Sequence, residues 1–420
     1  MPFLPLFLES KAPPLLTNDA IILGILVMIL AFIFVTAKSQ HPFWKKLYTF
    51  VPPILLAYFL PSLLTSFGIV DPEVTQLYTM AKNYLLPASL VLLTLSIDLK
   101  GIFRLGPKAL IMFFTATVGI IVGGPLAILL FQQLDPATVA GDTWRGMTTV
   151  AGSWIGGGAN QAAMKEVFEV KGDLFSMMIT VDVIVANVWM AVLLYGAGRS
   201  DKIDRSLKAD NSSIKSLQKT IEDYRAGIAK LPTMPDTMKV LAAGLGATAL
   251  AHLVSGSLAP WLAENYPGLK DYSLTSGFFW LIVLATTIGL ILSFTPARKL
   301  EGVGASRIGS VFIYILVATI GLHMDITAIA ENPTLFAVGL SWMAVHVILL
   351  LSVAKLVKAP WFFVAVGSQA NVGGAASAPV VAAAFSESLA PVGVLLAVLG
   401  YALGTYGAYI CGILMQAVAQ

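Results

Sequence analysis

Charge is scarce in this chain: only 12% of its 420 residues are Asp, Glu, Lys or Arg, against 57% hydrophobic. Soluble domains hold about a quarter charged residues. A globular fold of this length cannot bury so much apolar side chain, whereas a bilayer accepts it on every outward face. A soluble protein is therefore excluded. Cysteine is scarcer still, and the single Cys411 excludes a disulfide framework and a thiolate metal cluster. No His, Cys and Asp grouping has metal-ligand spacing, and no Ser, His and acid arrangement suggests catalysis, so neither an enzyme nor a cofactor is expected. The net charge of +3, with no basic run interleaved with aromatics, leaves no footing for nucleic acid. Met1 to Asn18 lack a basic n-region, so no cleaved signal peptide is expected.

What is present is a series of apolar stretches. About 20 apolar residues cross the hydrocarbon core as a helix. Such windows fall at 19–37, 47–69, 80–97, 107–133, 174–198, 238–262, 273–294, 303–324, 333–356 and 390–417. Two further stretches, 145–168 and 360–386, are rich in Gly, Ser, Asn and Gln. The fold class is an all-α polytopic membrane protein whose partner is the lipid bilayer. The one long polar segment divides the chain into an N-terminal repeat over 1–198, a connector over 199–237 and a C-terminal repeat over 238–420.

The halves share landmarks in the same order. The first has Thr94-Leu95-Ser96-Ile97-Asp98-Leu99, a long helix, then Gly152-Ser153-Trp154-Ile155-Gly156-Gly157-Gly158-Ala159-Asn160. The second has Thr319-Ile320-Gly321-Leu322-His323-Met324, a long helix, then Gly367-Ser368-Gln369-Ala370-Asn371-Val372-Gly373-Gly374. Lys and Arg collect on cytoplasmic loops. Lys38, Lys45, Lys46, Lys100, Arg104, Lys108, Arg298, Lys299, Arg307, Lys355 and Lys358, with the central connector, fall on one set of loops, and Asp71, Glu73, Asp135, Asp142, Asp325 and Glu331 on the other. All basic loops share one face if each glycine segment is re-entrant. That gives two inverted repeats of about five spans, each with a discontinuous or re-entrant segment, as in secondary transporters. A fully crossing broken helix is the alternative.

The glycine segments are where chemistry is expected. Irregular backbone at membrane depth must be buried or line a cavity, and each glycine costs a helix interior about 1 kcal/mol. Gly156, Gly157 and Gly158, like Gly373 and Gly374, mark helix breaks. Ser153, Asn160 and Gln161 surround the first, and Ser368, Gln369, Asn371 and Ser377 the second. They form a neutral donor and acceptor set suited to a small polar solute, which Thr405 and Tyr406 on the last helix extend. Neither segment is followed by the Gly-Lys-Ser/Thr of a phosphate loop. Asp182 lies mid-span; an ionised Asp there costs about 2.5–3.5 kcal/mol on insertion scales and usually serves ions or protons. With Thr180 and Asn187 it makes the expected ion-coupling set, for Na+ or H+. His252 and His346, also in spans, are read as satisfied structural residues.

These paired Gly-Ser…Gly-Gly segments resemble the superfamily of cation:proton antiporters and anion transporters, and are similar to those of sodium:glutamate and sodium:citrate symporters. Within it the resemblance narrows to a family of bacterial and plastid membrane proteins, domain of unknown function 819. It implies an elevator-type, sodium/proton-antiporter-like fold with discontinuous helices at mid-membrane, a mobile core sliding against a scaffold, and a homodimer. It also implies a coupling acid in the helix after the first segment, where Asp182 stands. The tandem aspartates of electrogenic sodium/proton antiporters are absent, since Val181 and Val183 flank Asp182. The expected function is sodium- or proton-coupled symport of a small polar or anionic metabolite across the bacterial cytoplasmic (inner) membrane. A monovalent cation/proton antiporter is the alternative, and an intramembrane enzyme a remote one.

Overall fold

The computed structural model describes residues 14–51, 53–209, 231–324, 333–386 and 389–419. Most of the expected connector and the landmarks Asp325 and Glu331 lie outside them. Among the described residues the elements are helical, joined by turns and one isolated bridge between Leu16 and Val70.

In chain order the helices are α1 Asp19–Ala37, α2 Pro42–Phe50, α3 Pro53–Ser66, α4 Leu86–Leu95, α5 Leu99–Arg104, α6 Pro107–Leu134, α7 Thr143–Gly156, α8 Gly158–Val167, α9 Gly172–Ala197 and α10 Ser200–Leu207. Beyond residue 230 come α11 Met234–Asn265, which begins within the expected connector, α12 Gly277–Ser293, α13 Ala305–Leu322, α14 Thr334–Val357, α15 Trp361–Val372, α16 Gly374–Ala383 and α17 Ala390–Ala419. Seven described helices (α1, α6, α9, α11, α13, α14 and α17) are long and apolar enough to span a bilayer, and two bent pairs raise this to nine. The expected span 80–97 is also helical. It runs through an α-turn at Leu77–Met80, a π-helical stretch at Ala81–Leu85 and then α4.

Local chemistry sets the ends. The Asn18 carboxamide caps α1 by accepting from the Ala20 and Ile21 amides at 2.9 and 3.3 Å, satisfying donors that a first turn leaves unpaired. Thr233 and Asp236 form a reciprocal capping box on α11. Asp98 caps α5 through the Gly101 amide at 3.1 Å.

The chain packs as two compact units that cut across the two expected repeats. One comprises Met1–Ala81 with Tyr314–Ile326, the other Lys82–Ile313 with Thr327–Gln420. In the first, the Thr65 hydroxyl donates to Leu322 O at 2.7 Å, and Thr36 and Tyr48 share a 2.6 Å hydroxyl contact. In the second, Val91, Ala247, Ala251, Leu281 and Ala285 form one buried cluster, and Leu92, Leu95, Val240 and Ala305 another. An Arg298–Asp98 ion pair at 2.5 Å and a Ser96–Glu301 hydrogen bond at 2.5 Å fasten the end of α4 to the turn Pro296–Val303. The candidate site belongs wholly to this second unit.

Candidate functional site

Both glycine segments are broken helices. Between α7 and α8, Gly157 takes φ 74° and ψ −171°, a region open essentially to glycine alone. Its amide still closes α7 on Ser153 O at 2.8 Å, while its carbonyl accepts the Asn160 and Gln161 amides and starts α8. Between α15 and α16 the break is Gly373 and Gly374, and Gly374 adopts φ 56°. Each break thus presents helix ends, whose amides favour negative and whose carbonyls favour positive charge.

The two breaks approach one point on α17. A Cβ on Gly400 would lie 2.6 Å from Ile155 O of the first segment and 3.5 Å from Ala370 O of the second. A Cβ on Gly404 would lie 2.6 Å from the Gly156 Cα. Only glycine allows backbone this close. Gly157 and Gly374 themselves face space: a Cβ at Gly157 would meet only Tyr401 Cε1 at 3.8 Å, and one at Gly374 nothing within 4 Å.

Beside the first break stands Asp182, on α9 and 5% exposed. Trp154 Nε1 donates to its Oδ1 at 2.7 Å and Gln161 Nε2 to its Oδ2 at 2.9 Å. One donor therefore comes from each side of the break, and the carboxylate bridges α7 and α8. Thr180 and Asn187 stay out of this cluster. Thr180 donates to Ser176 O at 3.1 Å and Asn187 to Val183 O at 2.8 Å, both on their own helix. The reason is angular: neighbours on a helix face are three or four residues apart, and these lie two and five from Asp182.

The asparagines are committed to holding the segments. Asn160 donates to Gly156 O and Tyr401 O, each at 3.1 Å, and accepts from Thr405 Oγ1 at 2.6 Å. Thr405 also shares a 3.0 Å contact with Thr286, and Tyr406 a 2.7 Å contact with Thr287. In the second segment Asn371 accepts from Thr117 Oγ1 at 2.7 Å and donates to Phe113 O and Gly367 O at 3.1 and 3.0 Å. Ser368 is occupied too: Trp189 Nε1 donates to its hydroxyl at 2.8 Å, and the hydroxyl lies 2.8 Å from His346 Nε2. His346 Nδ1 is 3.0 Å from Ala116 O. One tautomer satisfies the whole chain, with Nδ1–H donating to Ala116 and Nε2 accepting from Ser368. His346 is therefore the structural histidine expected. Ser368→Ala would leave buried Trp189 and His346 groups unpaired. We expect it to destabilise the protein by about 2–4 kcal/mol, seen as a lowered Tm in detergent.

Gln369 differs. It is 2% exposed, its Nε2 donates to Ser377 Oγ at 2.6 Å, and its Oε1 has no partner. Flipping the amide pairs Oε1 with the Ser377 hydroxyl but leaves Nε2 unpaired. Either orientation leaves a buried polar atom one turn before the second break. Such groups are rare and call for an explanation.

Sequence reasoning missed Trp154, Trp189 and Thr117 as partners. Trp154 stands inside the first motif and could have been found there. Thr117, 254 residues from Asn371, carries no local signal. Entry to α15 is held by Asp204 of α10, whose Oδ1 accepts the Trp361 amide at 2.7 Å.

A family profile described as "Protein of unknown function (DUF819)" matches residues 24–418. The chain is 27% identical over 365 residues to the uncharacterized membrane protein YjcL of Bacillus subtilis (strain 168), an alignment covering 81% of this chain and 84% of that one.

Proposed function

Starting from its membership of the DUF819 family of membrane proteins, we propose that this integral membrane protein is a secondary active transporter. It couples Na+ or H+ to the symport of a small polar or anionic metabolite in the bacterial cytoplasmic membrane, and it acts by transport rather than catalysis. The observation behind this reading is the Asp182 carboxylate, mid-way along a spanning helix and held by donors on both sides of a helix break. Ionisable groups buried at such depth mark ion or proton paths, and broken helices that meet at mid-membrane mark solute sites.

The mechanism follows from burial. Asp182, Trp154 and Gln161 are 5%, 0% and 2% exposed, so an ion reaches the carboxylate only after the segments move. Ion arrival changes the charge that Trp154 and Gln161 face, and both belong to the broken helix, so α7 and α8 respond together. The solute takes the space beside Gly157 and Gly374, where the spare polar atom of Gln369 offers it a hydrogen bond. Elevator-like alternating access, inverted repeats and a homodimer complete the proposal. The inverted repeats rest on the paired segments and the loop charges, and the elevator-like motion and the homodimer on the resemblance to the cation:proton antiporter and anion transporter superfamily.

A thermal-shift screen of purified protein against metabolites, with and without sodium and at two pH values, tests it. A ligand that binds only the folded state raises apparent stability by mass action, about 2.7 kcal/mol at a concentration 100 times Kd. We expect at least one metabolite whose shift depends on sodium or on pH. Shifts independent of both would leave a binding protein without ion coupling.

A further inference from the structure

One cluster of charges has no part in the site above. Glu166, at the end of α8, accepts two lysines at once: Lys82 Nζ lies 2.6 Å from its Oε2 and Lys165 Nζ 2.9 Å from its Oε1. The Glu166 and Lys165 side chains are 10% and 11% exposed, and that of Lys82 29%. Phe278 lies 5.0 Å from the Lys82 ammonium and Phe175 lies 5.7 Å from that of Lys165, distances at which a ring face attracts a cation. Lys82 sits in the π-helical stretch Ala81–Leu85, a deformation frequent at functional sites.

A structural brace between α8 and that stretch would need one pair at most, and a well-packed apolar pair braces at lower desolvation cost. Here two ammoniums converge on a single carboxylate, one on each oxygen, between aromatic walls and partly exposed on the Lys82 side. Lys165 follows Gln161 by one turn, about 6 Å along α8, on the face that reaches Asp182. We propose that Lys82 and Lys165 form a recognition site for a small carboxylate anion, with Glu166 occupying the ligand's place in the conformation described. An incoming carboxylate takes one ammonium on each oxygen, as Glu166 does now, and Glu166 swings toward the exposed side of Lys82. This rests on the reading that α7 and α8 line the solute path, and it narrows the solute from polar or anionic to carboxylate.

The test uses the purified full chain in detergent with sodium acetate, succinate and citrate as probes. Sodium chloride and sodium phosphate at matched sodium concentration and ionic strength are the controls. At least one carboxylate is expected to raise Tm above both controls. Lys165→Gln and Lys82→Gln should weaken that ligand's apparent Kd about tenfold or more, and Glu166→Gln, which removes the internal competitor, should tighten it about tenfold. A brace predicts the opposite sign for Glu166→Gln, so weaker binding there overturns the proposal. So does a Tm shift as large with phosphate, or no carboxylate shift in the wild type. Should Glu166→Gln fail to fold, Lys82→Gln decides: retained carboxylate affinity in that more exposed variant overturns the site. Asp182→Asn separates the two readings, since it should keep carboxylate binding while losing its ion dependence. A sodium-dependent shift with a neutral metabolite, and none with carboxylates, would leave the transporter reading standing and remove this site.

Discussion

Asp182→Asn is expected to insert and fold, yet to lose ion-driven uptake by at least about a hundredfold, as removal of a group central to coupling does. The carboxylate now accepts from Trp154 and Gln161. A carboxamide keeps its size but turns one acceptor into a donor, so one buried N–H loses its partner at about 1–3 kcal/mol. A Tm lowered by several degrees with normal expression is thus part of the expectation. What the variant cannot do is exchange charge, and the coupling should disappear at every sodium concentration and pH. Unchanged ion dependence of ligand binding in Asp182→Asn would remove the residue from the mechanism.

The second large effect is expected at the breaks, where the two glycines should behave differently. Gly157, at φ 74° and ψ −171°, sits in a region that other residues reach only at about 1–3 kcal/mol. Gly374 has φ 56°, within the φ range of the left-handed region that asparagine visits. Gly374→Asn should therefore keep ligand binding, whereas Gly157→Asn should lose much of it. Leucine at either position fills the open space beside the break and should abolish ion-dependent ligand stabilisation while reducing expression far less. Normal binding in both Gly157→Leu and Gly374→Leu would make the segments packing devices. Thermal shift with and without sodium separates these outcomes in one series.

How much was legible in the sequence depended on whether the signal was local. Every expected apolar stretch is helical among the described residues, with 47–69 divided between α2 and α3, because hydropathy over about 20 residues is enforced by the bilayer itself. The span 80–97 hid its π-helical stretch, since no composition rule distinguishes five residues of altered hydrogen bonding. The breaks were legible because glycine runs have few other uses inside a helix. The partners of the polar residues were not. Asn160 finds Thr405 across 245 residues of chain, so residues that looked like solute ligands turn out to fasten the segments. Gln369 is the exception that keeps a polar atom spare. Thr180 and Asn187 looked close to Asp182 in sequence, but helical rotation points them elsewhere. Lys165 and Glu166 stood in plain view within a stretch read for its glycines, and the depth at which they are buried was the unread signal.

Ion flux into proteoliposomes tests the central claim most directly. Purified protein is reconstituted, an inward sodium or proton gradient is imposed, and radioactive sodium entry or internal pH is followed while metabolites are added in pools. The account predicts a flux of one of these ions that appears only when a transported metabolite is present and vanishes in Asp182→Asn. An ion flux that needs no solute, or one that persists in Asp182→Asn, would contradict it.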